Sequence, residues 1–136
     1  MREKIVEVFY FKQKKLVCFS IGNMDSKKKC IFLQYTNMRD IFNSCVGFEW
    51  NAGNSNKNWM RHKVSRVECE QAFFNTPIIV GDDSKHSILE KRWYLLGKTD
   101  LEWLLFIVFT VRNNLIRVIS ARDMSKKERK IYYEKI

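Results

Sequence analysis

The stretch Trp103-Leu104-Leu105-Phe106-Ile107-Val108-Phe109-Thr110-Val111, then Arg112-Asn113-Asn114, then Leu115-Ile116-Arg117-Val118-Ile119-Ser120-Ala121-Arg122, decides the fold class. Its first run is apolar without strict alternation, as expected of a central strand covered on both faces. Asn113-Asn114 tolerates left-handed backbone and reads as a tight turn. The second run is a strand whose alternation places Arg117 on one face with Ile119 and Ala121, and leaves Arg122 at or just past the end. Two shorter strands, residues 78–80 and 92–96, precede this pair, with Gly81-Asp82-Asp83-Ser84 as turn chemistry between them. Four strands following one another through short connections make an antiparallel meander.

Helix starts flank the strands. Ser65 and Glu68 have the Ser-x-x-Glu capping-box spacing, with Val64 and Cys69 placed as a hydrophobic staple. That helix runs to about Phe74, where Asn75-Thr76-Pro77 stops it. Ahead of it, the asparagine-rich stretch 51–58 leads into a short helix at Trp59, Met60, Arg61 and His62, capped by Asn51 or Asn54. Residues 46–50 read as a first strand. Ser125 and Glu128 repeat the capping-box spacing and open a basic C-terminal helix at Lys126. The class is α+β: an antiparallel sheet of about four strands, packed by two N-terminal helices and one C-terminal helix.

With 136 residues, 46% apolar and 14% aromatic, the chain has the material for one compact domain. Its 25 Lys and Arg against 15 Asp and Glu give a formal charge of +10, which makes a polyanionic partner the first class to test. Charge does not by itself separate RNA from DNA, an acidic protein or a membrane surface. The longest apolar stretch, 101–111, contains Glu102 and Thr110 and falls far short of the roughly 20 residues a membrane-spanning helix needs. The apolar run near the start is interrupted by Glu7 and stopped by Lys12, Lys14 and Lys15, so no secretory signal is read. Cys18, Cys30, Cys45 and Cys69 form no Cys-x-x-Cys pair, and with His62 and His86 they complete no zinc-ligand spacing. The expectation is a cytoplasmic protein without a structural metal, its cysteines serving as small apolar core residues. Trp50, Trp59, Trp93 and Trp103 are read as core or interface residues in preference to base-stacking platforms.

Four blocks carry a resemblance: Phe48-Glu49-Trp50; Asn58 with Arg61-His62-x-Val64; Glu90-x-Arg92-x-x-x-Leu96-Gly97; and Arg117-Val118-Ile119-Ser120-Ala121-Arg122 with Glu128-Arg129 and Tyr132. Over about residues 46–133 the chain resembles the BrnT toxin family, and the Ser-Ala-Arg block with its downstream Glu-Arg-x-x-Tyr is the most specific piece. The resemblance implies a RelE-like fold and an endoribonuclease toxin of a type II toxin-antitoxin pair. It also implies neutralisation by a BrnA-type antitoxin, with operator DNA engaged only through that antitoxin. The chain departs from the family at Asn51 and Asn54, where Asp and Lys are usual, and at Arg66, where an aromatic is usual. Residues 38–136 form the BrnT-like domain. Residues 1–37, with apolar bursts at 8–11, 16–21 and 31–33 that each read as a strand, are expected to be an appended segment or translation from an upstream start.

RNA cleavage needs no metal or other cofactor if the substrate's 2′-hydroxyl is the nucleophile. The enzyme then orients that hydroxyl, stabilises the phosphorane and moves protons. Arg92 and Arg122 are the candidates for holding the phosphorane, with Arg117 a third, because guanidinium binds phosphate bidentately and these three stand on or beside strands. His62, Glu90 and Tyr132 are the candidates for proton transfer. Each has a plainer reading: His62 as a cation at a helix C-terminus, Glu90 as the ion-pair partner of Arg92, Tyr132 as a packing residue. Glu128 is read as a cap. Lys126, Lys127, Arg129 and Lys130 line a helix that either is simply solvated or steers RNA or an acidic antitoxin. The rival to the enzyme is a module of the same fold that binds nucleic acid or protein without cleavage.

Overall fold

The computed structural model describes Lys4–Ile5 and residues 42–136. The bursts at 8–11, 16–21 and 31–33, with Cys18 and Cys30, lie outside the described residues. Element order is β1 (Lys4–Ile5), β2 (Gly47–Phe48), α1 (Ala52–His62), α2 (Arg66–Phe74), β3 (Ile78–Asp82), a 3₁₀ turn (Ser84–His86), β4 (Trp93–Lys98), β5 (Leu104–Arg112), β6 (Leu115–Asp123) and α3 (Lys126–Lys135).

The α+β class and the meander β3-β4-β5-β6 are as expected. The sheet is larger than four strands, however, and it is mixed. β2 adds to β6 in parallel, and β1 adds antiparallel to β3 at the opposite edge. Parallel pairing at β2 follows from connectivity: the chain leaves β2 through two helices and returns only after the whole meander, so no hairpin constrains its direction. The β5–β6 turn is the tight hairpin the sequence announced, with Asn113 at φ 50° and Asn114 at φ 60°.

Both predicted capping boxes form. The Ser65 hydroxyl accepts from the Glu68 N–H at 3.2 Å while Glu68 accepts from the Ser65 N–H at 2.8 Å, and Val64 and Cys69 are both buried in the same core cluster. Helix α1 corrects the expectation, since it begins at Ala52 and takes in the asparagine-rich stretch. Asn51 and Asn54 share the cap: the Asn51 side chain accepts from the Gly53 and Asn54 N–H groups, and the Asn54 side chain accepts from the Asn51 N–H. Asparagine is a poor helix former. Its use here comes from β6, whose outer edge is unpaired once β2 ends. Asn54 Nδ2 donates to the Val118 carbonyl at 3.3 Å, and Asn58 Oδ1 accepts from the Ala121 N–H at 3.1 Å, so α1 completes the edge with side chains where a strand is missing. Replacing Asn58 with alanine leaves that buried N–H without a partner and is expected to cost about 1–3 kcal/mol in urea unfolding.

A second correction concerns the arginine strand. Val108 faces Ser120 while Phe109 faces Val118, so Ile119 is an extra residue, a β-bulge in β6. The bulge shifts the alternation by one. Ile116, Val118 and Ala121 all stay in the core, whereas Arg117, Ser120 and Arg122 share the opposite face. The core side of the sheet holds Ile78, Val80, Trp93, Leu95, Leu105, Ile107 and Phe109 against Val64, Cys69, Ala72 and Phe73 of the helical side. On the other side α3 covers only one end, where Tyr132 and Met124 meet Ile79, Leu96, Leu104 and Phe106. The remainder of that face carries the arginines.

Candidate active site

Register places the polar residues in rows across the open face. Thr110 of β5 stands opposite Arg117 of β6, and Glu49 follows Phe48, whose partner is Ile116, so Glu49 lies beside Arg117. On the other flank Trp93 pairs with Phe109, which sets Arg92 beside Thr110 just ahead of β4, one residue later than the predicted strand start. The Thr110 hydroxyl donates to the Lys91 carbonyl at 2.7 Å and fixes this corner. One row therefore reads Arg92, Thr110, Arg117, Glu49 across β4, β5, β6 and β2.

Glu90 lies next to that row and gathers it. Arg112 Nε and Nη2 donate to its carboxylate at 2.8 and 2.9 Å, and Arg92 Nη2 lies 3.9 Å away. The hydrogen bonds from Arg112 lead in holding the Glu90 carboxyl below its ordinary range, with Arg92 and Arg117 adding to the positive field. Arg117 in turn lies 3.3 Å from Glu49. Arg92, Arg112 and Arg117 thus share one neighbourhood with two carboxylates. Arg92 is the least satisfied: among the described residues its buried Nε has no hydrogen-bond partner, and its ion pair is the long one to Glu90.

Arg122 is on the same face but further along it, at the α3 end. Its Nη1 and Nη2 donate to the two Glu128 oxygens at 2.8 Å each, and the guanidinium lies over the Phe106 ring, 4.3 Å from its centre. Phe106 stacks on Tyr94 in turn. Glu128 also accepts from the Ser125 N–H, so one carboxylate both caps α3 and holds Arg122. Burial pushes the Glu128 carboxyl up, but the Arg122 bonds and the Ser125 backbone outweigh it and leave the carboxyl low. Asp123 behaves alike, with burial outweighed by hydrogen bonds from Arg129 and Trp103.

The proton-transfer candidates separate. Glu90 is in the arginine neighbourhood. His62 is exposed at the last turn of α1, which docks on the β6 edge. The Tyr132 hydroxyl is buried and donates to the Pro77 carbonyl at 2.7 Å, and burial pushes it up to about 12. Lys126, Lys127 and Lys130 are exposed on α3, while Arg129 is bound to Asp123 and to the Met124 carbonyl. Cys45 and Cys69 are buried, as expected of core cysteines, with burial pushing the Cys69 thiol up to about 12. Trp93 is buried; Trp50 and Trp103 are half-buried, donating to Glu70 and Asp123; Trp59 is the exposed one, with Lys63 over its ring.

Sequence reasoning missed Arg112 and Glu49. Arg112 was available from the β5 pattern, since it lies an even number of residues from Thr110 on the same strand. Glu49 needed the parallel β2–β6 pairing, for which the sequence holds no signal.

A family model described as ribonuclease toxin, BrnT, of type II toxin-antitoxin system matches residues 50–128. This chain belongs to the BrnT family. No curated protein matches it. The BrnT span runs from Trp50 to Glu128 and takes in Asn54, Asn58, Glu90 and all four arginines of the open face, while Glu49 falls one residue ahead of it and Tyr132 beyond it. Membership makes the chain a toxin of the ribonuclease class and implies an antitoxin partner. Among the described residues no helix is long and apolar enough to cross a membrane.

The lowered carboxyls of this BrnT-family face set its acid sensitivity. A carboxyl held below its unfolded value contributes stability that is complete above that value, about 4, and is lost as pH falls through the folded one. Urea midpoints are expected to drop from about pH 5 downward, with a shallower drop in Glu128→Gln.

Proposed function

We propose that this toxin is an endoribonuclease that cuts RNA by attack of a 2′-hydroxyl on the adjacent phosphate, without a metal, and so arrests growth. A BrnA-type antitoxin restrains it, and operator DNA is reached only through that partner. The observation that carries the reading is Arg92, whose Nε has no hydrogen-bond partner among the described residues and whose Nη2 makes only a 3.9 Å ion pair there, beside Arg117 and Arg112 on a sheet face whose other end α3 covers. A phosphate supplies the acceptors this group lacks.

Arg92 and Arg117 bind the scissile phosphate and stabilise the charge that develops on it. Arg112, fixed by Glu90, adds positive field from the adjoining position. Arg122, held by Glu128, takes a flanking phosphate, and Lys126, Lys127 and Lys130 steer the strand from α3. Tyr132 serves the fold: Tyr132→Phe is expected to lower stability by about 1 kcal/mol through loss of the Pro77 bond and to leave cleavage unchanged, as measured by urea unfolding and an RNA assay. The deciding experiment incubates purified toxin with labelled RNA, with and without ribosomes, in EDTA. Cleavage that persists in EDTA and weakens in Arg122→Ala supports the reading. Saturable binding with RNA left intact sinks it, and dependence on added divalent metal overturns the mechanism.

A further inference from the structure

Three carboxylates lie among the arginines of the open face, and they differ in how much of their oxygen surface is committed. Glu90 accepts two hydrogen bonds from Arg112. Glu128 accepts two from Arg122 and one from the Ser125 N–H. Among the described residues the Glu49 side chain accepts none: Arg117 Nη1 stands 3.3 Å away as an ion pair, and the side chain is 35% exposed. The backbone beneath it is nonetheless fixed. Its N–H donates to the Ile116 carbonyl at 2.9 Å and its carbonyl accepts from Asn54 Nδ2 at 2.9 Å. The charged groups facing it are Arg117 from β6 and, at longer range, Arg112 from β5.

A general base needs an open lone pair on a rigid support, within reach of the proton it removes. Adjacent strands are about 4.8 Å apart, so in the row Arg92, Thr110, Arg117, Glu49 the carboxylate sits one strand beyond Arg117 and Arg92 two strands before it. For a phosphate held between Arg92 and Arg117, the ribose that carries it on its 3′-oxygen also bears the attacking 2′-hydroxyl, and Glu49 is the uncommitted carboxylate next in the row.

Resting on the ribonuclease reading above, we propose that Glu49 is the general base of the cleavage. Glu49 takes the 2′-hydroxyl proton as the 2′-oxygen forms its bond to phosphorus. The bond from phosphorus to the 5′-oxygen then breaks, that oxygen takes a proton from water, and Glu49 returns its proton to solvent. The products are a 2′,3′-cyclic phosphate and a 5′-hydroxyl, with no net consumption of water.

The test uses the full chain and a defined RNA, scored for cyclic-phosphate ends. Glu49→Gln keeps the size and polarity of the side chain but cannot accept the proton. Its cleavage rate is expected to fall about 100-fold with RNA affinity retained, and the decline in rate on the acid side, present in the wild type and in Glu90→Gln, is expected to vanish. Added acetate should partly restore cleavage in Glu49→Ala. Wild-type rates in Glu49→Gln overturn the proposal, and so does joint loss of binding and cleavage with the acid-side decline intact. A wild-type protein that leaves RNA whole overturns the ribonuclease reading itself, and is told apart because the Glu49 variants are then not at issue.

Discussion

Replacing Arg92 by alanine is expected to slow RNA cleavage by about 100- to 1,000-fold, the usual loss when one preorganised donor is removed from a developing oxyanion. The fold should survive intact. Among the described residues the Arg92 guanidinium gives up no hydrogen bond on removal, and its ion pair there is 3.9 Å long to a Glu90 that keeps both bonds from Arg112. Its backbone N–H remains bonded to Ser87 Oγ at 3.0 Å, so the approach to β4 is unchanged. Stability should therefore move by no more than about 0.5 kcal/mol, and a catalytic loss cannot be blamed on unfolding. Arg92→Lys keeps the charge but not the planar fork and should recover only part of the rate. Rates on labelled RNA in EDTA, paired with growth on induction, check both; full toxicity in Arg92→Ala would remove the basis for the site.

Replacing Phe73 by alanine is expected to destabilise the protein by about 3–5 kcal/mol, a large share of the roughly 5–15 kcal/mol a domain commands. Phe73 is fully buried, and its ring meets Phe42, Phe48 and Phe109 edge to face at 6.4, 5.3 and 5.1 Å. It joins α2, β2 and β5 at one point. The neighbouring Phe74, 44% exposed, contacts Phe48 as well and should cost far less when truncated. Urea midpoints of the two variants give the comparison, and equal losses would show that the aromatic cluster is not the keystone proposed. Because Phe48 leads directly into Glu49, a loosened cluster should also blunt cleavage before global unfolding, visible as lost activity at urea concentrations where the fold still stands.

The parts legible in the sequence are those fixed by neighbours in the chain. Ser65 with Glu68, Ser125 with Glu128 and the Asn113-Asn114 turn report their own geometry, because capping and hairpin chemistry act over a few residues. Longer-range facts were not legible. Asn54 and Asn58 look like loop formers until the unpaired edge of β6 is known, and Ile119 looks like an ordinary strand residue until its partner strand shows that it has none. For the site, Arg92, Arg117, Arg122 and Glu90 were visible as residue types near strand ends. Their division into one cluster around Glu90 and a separate pair with Glu128 depends on side-chain reach, which no spacing rule encodes.

Deleting Ile119 would restore an unbroken two-residue rhythm to β6. Ser120, Ala121 and Arg122 would keep their partners Val108, Ile107 and Phe106 and their present faces; a β6 that kept Ile119 but paired it into the ladder would instead set Ala121 opposite Phe106 and drive the Arg122 guanidinium into the core beside Leu105. By leaving one residue out of the ladder, the longer strand keeps every side chain downstream on its working face, from Arg122 above Phe106 to the helix that Glu128 opens.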